Sequence, residues 1–253
     1  MDLGLRGLRT IVSGSTKGIG RAIAETLAAE GAHVAICARQ ATEVDETVTA
    51  LRRHGVTAVG RALDVRDAAA LQAWVTASAQ ELGGLDIVIA NVSALAISND
   101  EESWYKEFEV DMMHTVRMVN AALPYLSQSA HAAIVTVSSV SGREVDFAAG
   151  PYGTLKAALI HYTQGLAYQW AGKGIRANTI SPGNTYFPGG VWEQIEHGNP
   201  QLFKDALALN PTGRMGTPQE MANAAVFLAS PAASFVTGTN LVVDGALTRG
   251  VQL

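Results

Sequence analysis

The sequence predicts an α/β protein, one domain over residues 1–253 with a mostly parallel, doubly wound seven-stranded sheet and helices on both faces. Three observations carry that prediction. Short β-type runs alternate with longer segments whose apolar residues recur near every 3.6 positions. The runs are nearly continuous in Val, Ile and Ala, as strands are when helices cover both faces of their sheet. Regular strand-helix alternation, joined by right-handed crossovers, makes neighbouring strands parallel.

The elements follow in order. "RTIVSG" (9–14) reads as a strand and leads into a helix over 18–30, which Gly31 ends in the left-handed conformation. "HVAICA" (33–38) is the second strand, and the helix over 41–54 ends the same way at Gly55. "TAVGRALDV" (57–65) precedes a helix over 67–82, where the Asp67 side chain can accept from free backbone N–H groups. "LDIVIAN" (85–91) is followed by a long helix over 101–128, with "DEES" (100–103) as an acidic first turn facing the positive end of the helix dipole. "AAIVTVSS" (132–139) precedes a helix over 151–172. "IRANTISPG" (175–183) and "TNLVVDG" (239–245) are the last strands, with a helix over 217–229 between them. Residues 184–216 read as one long irregular stretch, and a loop of that length in a compact domain is usually a functional lid.

Composition narrows the function. The chain has 253 residues, 48% of them hydrophobic, enough to bury a large core. Its net charge is −5, and its lysines and arginines are scattered, which argues against nucleic acid or a polybasic membrane surface as partner. A small-molecule ligand fits better. The single cysteine, Cys37, cannot form an intrachain disulfide and reads as a buried strand thiol. "MDLGLRGLRT" lacks a secretory apolar core, and no apolar run reaches the roughly 18 residues of a membrane span. A cytoplasmic protein is the expectation. The six histidines show no ligand-like clustering, so no metal is expected.

Between the first strand and helix lies "SGSTKGIG" (13–20), a turn comprising Gly14, Ser15, Thr16, Lys17, Gly18, Ile19 and Gly20. Its glycines permit a tight turn, close approach to a ligand and close helix-sheet packing, while the free N–H groups of the new helix suit a pyrophosphate. The second strand ends "CARQ", with Arg39 where enzymes using NAD place a carboxylate that accepts from the adenosine ribose. A guanidinium meets a phosphate with two parallel hydrogen bonds, and Lys17 is a second cation nearby. NADP(H) is therefore expected over NAD(H). Downstream, "YGTLK" places Tyr152 and Lys156 one helical turn apart on one face. An ammonium beside a phenol stabilises the phenolate and lowers the phenol's pKa, making the pair usable as acid and base. Ser139 ends a strand at the edge where parallel sheets meet ligands, and its hydroxyl can hold a carbonyl or alcohol oxygen.

With these motifs in place the chain resembles the short-chain dehydrogenase/reductases. The likeness is collinear through "SGSTKGIG", "LDV" (63–65), "LDIVIAN", "VTVSSVSG" (135–142), "YGTLK", "IRANTISPG" and "VTGTNLVVDGA" (236–246). It implies a Rossmann-type fold and a catalytic group of Ser139, Tyr152 and Lys156, with Lys156 also binding the nicotinamide ribose. It implies Asp64 and Val65 at the adenine, Asn91 near the adenosine ribose, and Pro182 with Gly183 beside the nicotinamide. It further implies a homotetramer formed through about 101–128, 151–172 and 236–253.

Three departures stand out. The family's usual asparagine in the long helix is Asp111, which is expected to hold a proton-relay water and to raise the lysine pKa by its charge. The usual "NNAG" is "ANVS" (90–93). The usual threonine beyond the Pro-Gly pair is Phe187, with Thr185 as its expected stand-in at the carboxamide. Ser141, Glu144, Val145, Phe147, Asn184, Tyr186, Phe187 and Trp192 are candidates to line a half-apolar pocket suited to a cyclic or medium-sized ketone. The expected activity is NADP(H)-dependent interconversion of a ketone and a secondary alcohol. A 3-oxoacyl-thioester reductase, or an NADP-binding sensor without turnover, are the alternatives.

Overall fold

A computed structural model describes residues 2–251. Seven strands form one parallel sheet: β1 (Arg9–Ser13), β2 (His33–Ala38), β3 (Ala58–Ala62), β4 (Ile87–Ala90), β5 (Ala133–Val137), β6 (Arg176–Pro182) and β7 (Asn240–Val243). Their order is β3-β2-β1-β4-β5-β6-β7, so the chain steps outward from β1 on one side and then crosses to β4 on the other. That reversal makes the loops after β1 and β4 diverge, and it leaves a crevice above the carboxyl ends of the strands.

The helices are α1 (Gly18–Ala29), α2 (Ala41–Arg52), α3 (Ala68–Leu82), α4 (Glu101–Glu107), α5 (His114–Leu126), α6 (Pro151–Trp170), α7 (Val191–Gly198), α8 (Pro200–Ala208) and α9 (Pro218–Ala229). Strand residues alternate between two apolar layers. Val12, Ile36 and Ile89 pack with Ile23 and Leu27 of α1, Val44 of α2 and Val226 of α9. Ile11, Val88 and Ile134 pack on the other face with Leu71 and Trp74 of α3, Met118 of α5 and Leu166 of α6. Burial on both faces is the reason the strand sequences carry no polar alternation. Cys37 lies within β2, where burial holds its thiol up at about 12.

Local punctuation acts as expected. Gly31 and Gly55 have φ of 85° and 77°, and the Asp67 carboxylate accepts from Ala70 N–H at 3.0 Å. Two segments differ. The helix expected over 101–128 is interrupted by a π turn, Phe108–Met113, between α4 and α5. Residues 184–216 are not irregular throughout: they contain α7 and α8, whose Trp192 and Ala206 pack with Met215 in a small separate core. Both helices are short and follow Gly and Pro, which masked their periodicity.

At the edge of the sheet opposite the crevice, Asp86 joins the starts of the central strands. It accepts from Arg9 N at 2.8 Å, Arg9 Nε at 2.7 Å, Arg9 Nη2 at 2.7 Å and Ser129 Oγ at 2.6 Å. Burial works to raise its pKa, but these donors outweigh it and hold the carboxylate below its usual range. Asp86→Ala leaves Arg9 and its amide without that acceptor and is expected to cost about 2–3 kcal/mol in chemical denaturation. Because the folded-state pKa is depressed, this contribution is present above the unfolded-state value and is lost as pH falls through the folded one. The gap between variant and wild type should therefore close in acid.

Candidate active site

The turn from β1 into α1 is closed by glycine for steric reasons. Gly18 has φ of +53°, and a Cβ on Gly20 would lie 2.2 Å from Gly14 O. Lys17 occupies the N-cap of α1 without a side-chain cap, so the first amides of the helix stay free and face the crevice. Asn91, at the end of β4, braces the turn by donating from Nδ2 to Ser13 O at 3.2 Å and Gly14 O at 3.1 Å. Ser15 is likewise committed, donating to Val12 O. Free amides, the positive helix end and a floor with no side chains fit a pyrophosphate.

A cavity of about 1020 Å³ extends from this turn over β2 and β3, lined in part by Gly14, Thr16, Lys17, Arg39, Asp64 and Val65. Lys17 and Thr16 are engaged by a residue the sequence reading missed. Glu43 at the start of α2 pairs with Lys17 Nζ at 2.7 Å and accepts from Thr16 Oγ1 at 3.1 Å. Asp64 pairs with Arg66 Nη2 at 2.6 Å. Arg39 is exposed and forms no ion pair among the described residues. Of the cations lining this cavity, Arg39 and Lys106 form no ion pair among the described residues, while Lys17 is partly neutralised, and of the two Arg39 follows β2, where the sequence reading expected the phosphate contact.

The second cavity, of about 340 Å³, lies over β5 and β6 and is walled by Gly18, Ile19, Ser139, Tyr152, Lys156, Pro182, Gly183 and Thr185 among others. Ser139 follows β5, and α6 presents Tyr152 and Lys156 from the side, with Lys156 Nζ 5.6 Å from the tyrosine ring centroid. The lysine is almost completely buried. Its Nζ donates to Val137 O at 3.0 Å and forms an ion pair with Asp111 Oδ2 at 2.8 Å. Asp111 sits in the π turn, fully buried, and its Oδ1 accepts from Ala94 N at 2.8 Å. The carboxylate therefore meets the ammonium directly, the contact through which the charge effect expected from the sequence acts. The π turn also positions His114, which is buried with Nε2 2.9 Å from Ser13 Oγ. Burial depresses its pKa to about 4, leaving it neutral near pH 7.

The electrostatics correct one expectation. Burial raises the Tyr152 pKa above that of an ordinary phenol and outweighs the lowering by Lys156 and by a hydrogen bond with Ser139; Asp111 and Glu107 add to the rise. The lysine does stabilise a phenolate, but its own counter-charge and the dry site cancel that benefit. Burial alone would lower the Lys156 pKa; Asp111 reverses this and holds it up, as the sequence reading expected of that charge. Glu107 was not foreseen. It is fully buried, accepts from Ala96 N at 2.9 Å, and is pushed up to about 8 by burial and by the Asp111 charge. In "EESWYKEFEVD" its one-turn spacing from Asp111 was visible, but one acid among several carries no sign of which is buried.

Of the candidate substrate residues, Ser141, Phe147, Asn184, Phe187 and Trp192 line this cavity. Phe147 and Trp192 meet edge to face at 6.1 Å, and the Phe187 ring lies over Gly18, where a Cβ would approach its Cζ to 2.5 Å. Ser141 donates to Asp146 Oδ2 at 2.6 Å, another residue not foreseen. Thr185 is buried and donates to Gly183 O at 3.0 Å. Glu144, Val145 and Tyr186 do not line the cavity. Glu144 accepts from Gly250 N at 3.2 Å, Val145 is 92% exposed, and Tyr186 donates to Glu196 at 2.6 Å. Leu95, Ile97, Val191 and Ile195 supply apolar wall in their place. Leu95 and Ile97 follow "ANVS", and Val191 and Ile195 flank Trp192, without a motif of their own to announce that role.

Comparison with known proteins adds three findings. The family model described as enoyl-(acyl carrier protein) reductase matches residues 14–248. Isoepoxydon dehydrogenase of Penicillium expansum is 42% identical over all of this chain and 99% of its own, and dehydrogenase/reductase SDR family member 4 of Sus scrofa is 33% identical over 93% of this chain and 85% of its own. The structure of L-sorbose reductase from Gluconobacter frateurii, complexed with NADPH and L-sorbose, superposes with a TM-score of 0.91 at 30% identity, covering 99% of this chain and 100% of that one.

Proposed function

The chain belongs to the short-chain dehydrogenase/reductases and is an oxidoreductase of the alcohol/carbonyl class, and from that premise we propose that it works with NADP(H), using Tyr152 as acid and base, and runs most readily as a carbonyl reductase. One observation carries the reading. Ser139, Tyr152 and Lys156 converge in a cavity that opens beside the uncapped start of α1, so a dinucleotide seated on those amides would bring its nicotinamide to the tyrosine.

When bound, the reduced nicotinamide supplies the hydride. Ser139 orients the carbonyl oxygen, and Tyr152 donates the proton that this oxygen gains. A phenol whose pKa lies above its ordinary value is protonated near neutral pH, the form that reduction requires. Oxidation needs the phenolate and is expected to rise with alkaline pH. The apolar walls and polar floor support a cyclic or medium-sized ketone as substrate. The thioester alternative needs a basic surface for an acidic carrier, and Arg214, a cation at the end of the 184–216 segment, is paired with Glu220 at 2.6 Å. A homotetramer accords with aromatic side chains left exposed on the central helices, Tyr105 and Phe108 before α5 and Tyr168 on α6.

NADPH and NADH oxidation with a panel of cyclic ketones, and NADP⁺ reduction with isoepoxydon, test the activity. NADPH is expected to be preferred. Arg39→Ala should raise the KM for NADPH about 10-fold or more and leave that for NADH unchanged, the effect of losing one charge-assisted phosphate contact. Oxidation of neither nucleotide with any carbonyl would remove the catalytic reading. Equal use of both nucleotides by wild type and Arg39→Ala would remove the cofactor preference.

A further inference from the structure

Behind Lys156 lies a second acid that the carbonyl-reductase reading does not use. Glu107 ends α4 and Asp111 lies one turn on, in the π turn, both without solvent exposure, so the two carboxyl groups act on each other. Asp111 is already matched in charge by Lys156 at 2.8 Å. A further negative charge beside that neutral pair has no counter-ion, so Glu107 carries a proton. One Glu107 oxygen is fixed by Ala96 N, and the other lies 3.5 Å from Ser93 Oγ. Ser93 lines both cavities. A continuous chain of proton-carrying groups thus runs from the crevice through Ser93, Glu107 and Asp111 to Lys156.

We propose that Glu107 is a positioning residue that returns a proton to the Lys156–Tyr152 pair in each reductive turnover, acting through Asp111. The inference rests on the carbonyl-reductase reading above. In one turnover Tyr152 O–H breaks and the proton passes to the oxygen of the substrate, whose carbon has gained the hydride. The Lys156 ammonium replaces that proton on the phenolate, directly or through one water, and becomes an amine. The Glu107 proton crosses to Asp111 and on to Lys156, which restores the ion pair. Glu107, now a carboxylate, regains a proton from the crevice through Ser93. One hydride from the reduced nicotinamide and one proton from solvent are consumed, and every protein group ends as it began. The titratable groups facing this chain are Asp111 and Glu107 themselves, the neutral His114 at the start of α5, Tyr152 and Lys156 on α6, and, at its Ser93 end, Glu102 and Lys106 of α4, which line the same cavity. The segment 90–97 that covers it has none.

The test is Glu107→Gln, whose amide can still accept from Ala96 N and donate to Asp111 but cannot deliver a proton. Infrared titration of the protein alone should show a carboxylic-acid C=O stretch that disappears as pH rises through about 8 in wild type and is missing in the variant. In carbonyl reduction the variant should lose at least about 10-fold in kcat with KM for the carbonyl unchanged, lose the fall in rate across the same pH interval, and regain rate when imidazolium is added as a diffusible acid. Ser93→Ala, which cuts the chain nearer the crevice without touching the carboxyl pair, should show a smaller loss with the same rescue and settles the matter if Glu107→Gln does not fold. Absence of the acid band from wild type, or wild-type kcat and pH profile in whichever variants fold, overturns the proposal. A failure of the relay alone leaves wild-type turnover intact; a wild type that reduces no carbonyl overturns the functional reading and the relay with it.

Discussion

Tyr152→Phe is expected to lower carbonyl reduction by about 10²–10⁴-fold, the range that a positioned proton donor contributes, while NADPH binding measured by fluorescence titration stays within about twofold. The hydroxyl is the one atom lost. The ring keeps its place beside Lys156, whose Nζ still has Val137 O and Asp111 as partners, so the site remains folded. Retained turnover would show that the proton comes from elsewhere, and lost nucleotide binding would show that the hydroxyl holds the nucleotide site together instead.

Asp111→Asn is expected to move the pH profile of alcohol oxidation to lower pH by about one unit, the size of effect one nearby charge has on a neighbouring pKa. The sign follows from the charges. Asp111 raises the Tyr152 pKa, so its neutral replacement lets the phenolate form earlier, and oxidation, which needs the phenolate, gains at lower pH. The same change removes the repulsion that keeps Glu107 protonated, and Glu107 ionises to balance Lys156 in its turn. This second adjustment limits the loss of stability and offsets the shift, because a Glu107 carboxylate also raises the Tyr152 pKa; the full one-unit move is therefore read in a Glu107→Gln background. Asp111→Ala in a Glu107→Gln background, with no carboxylate left beside the ammonium, should lose about 3–5 kcal/mol in denaturation. Superimposable oxidation profiles for Glu107→Gln and for Asp111→Asn in the Glu107→Gln background would mean that the Asp111 carboxylate has no electrostatic role at Tyr152.

Much of this was legible in the chain itself because it depends on local rules. Seven apolar runs separated by helical periods dictate a parallel sheet, since strands buried on both faces tolerate no polar alternation. Asp67 as a cap and Gly31 and Gly55 as stops act through atoms a few residues away, and their positions were readable for that reason. The glycine turn, Ser139, Tyr152 and Lys156 were readable because backbone geometry and helix spacing bring each piece to the carboxyl ends of the strands.

What only the tertiary structure decided is which charges meet. Glu43 reaching Lys17 and Asp111 touching Lys156 join segments that spacing along the chain does not relate, and only the folded interior shows Glu107 buried behind that pair. The same holds for the substrate wall, where Leu95, Val191 and Ile195 replace Glu144, Val145 and Tyr186. Tyr152 shows why this matters. The neighbouring ammonium was evident from a four-residue interval, but the direction of the tyrosine's shift is set by burial and by two carboxylates brought in from another helix, and desolvation is a property of the folded interior alone.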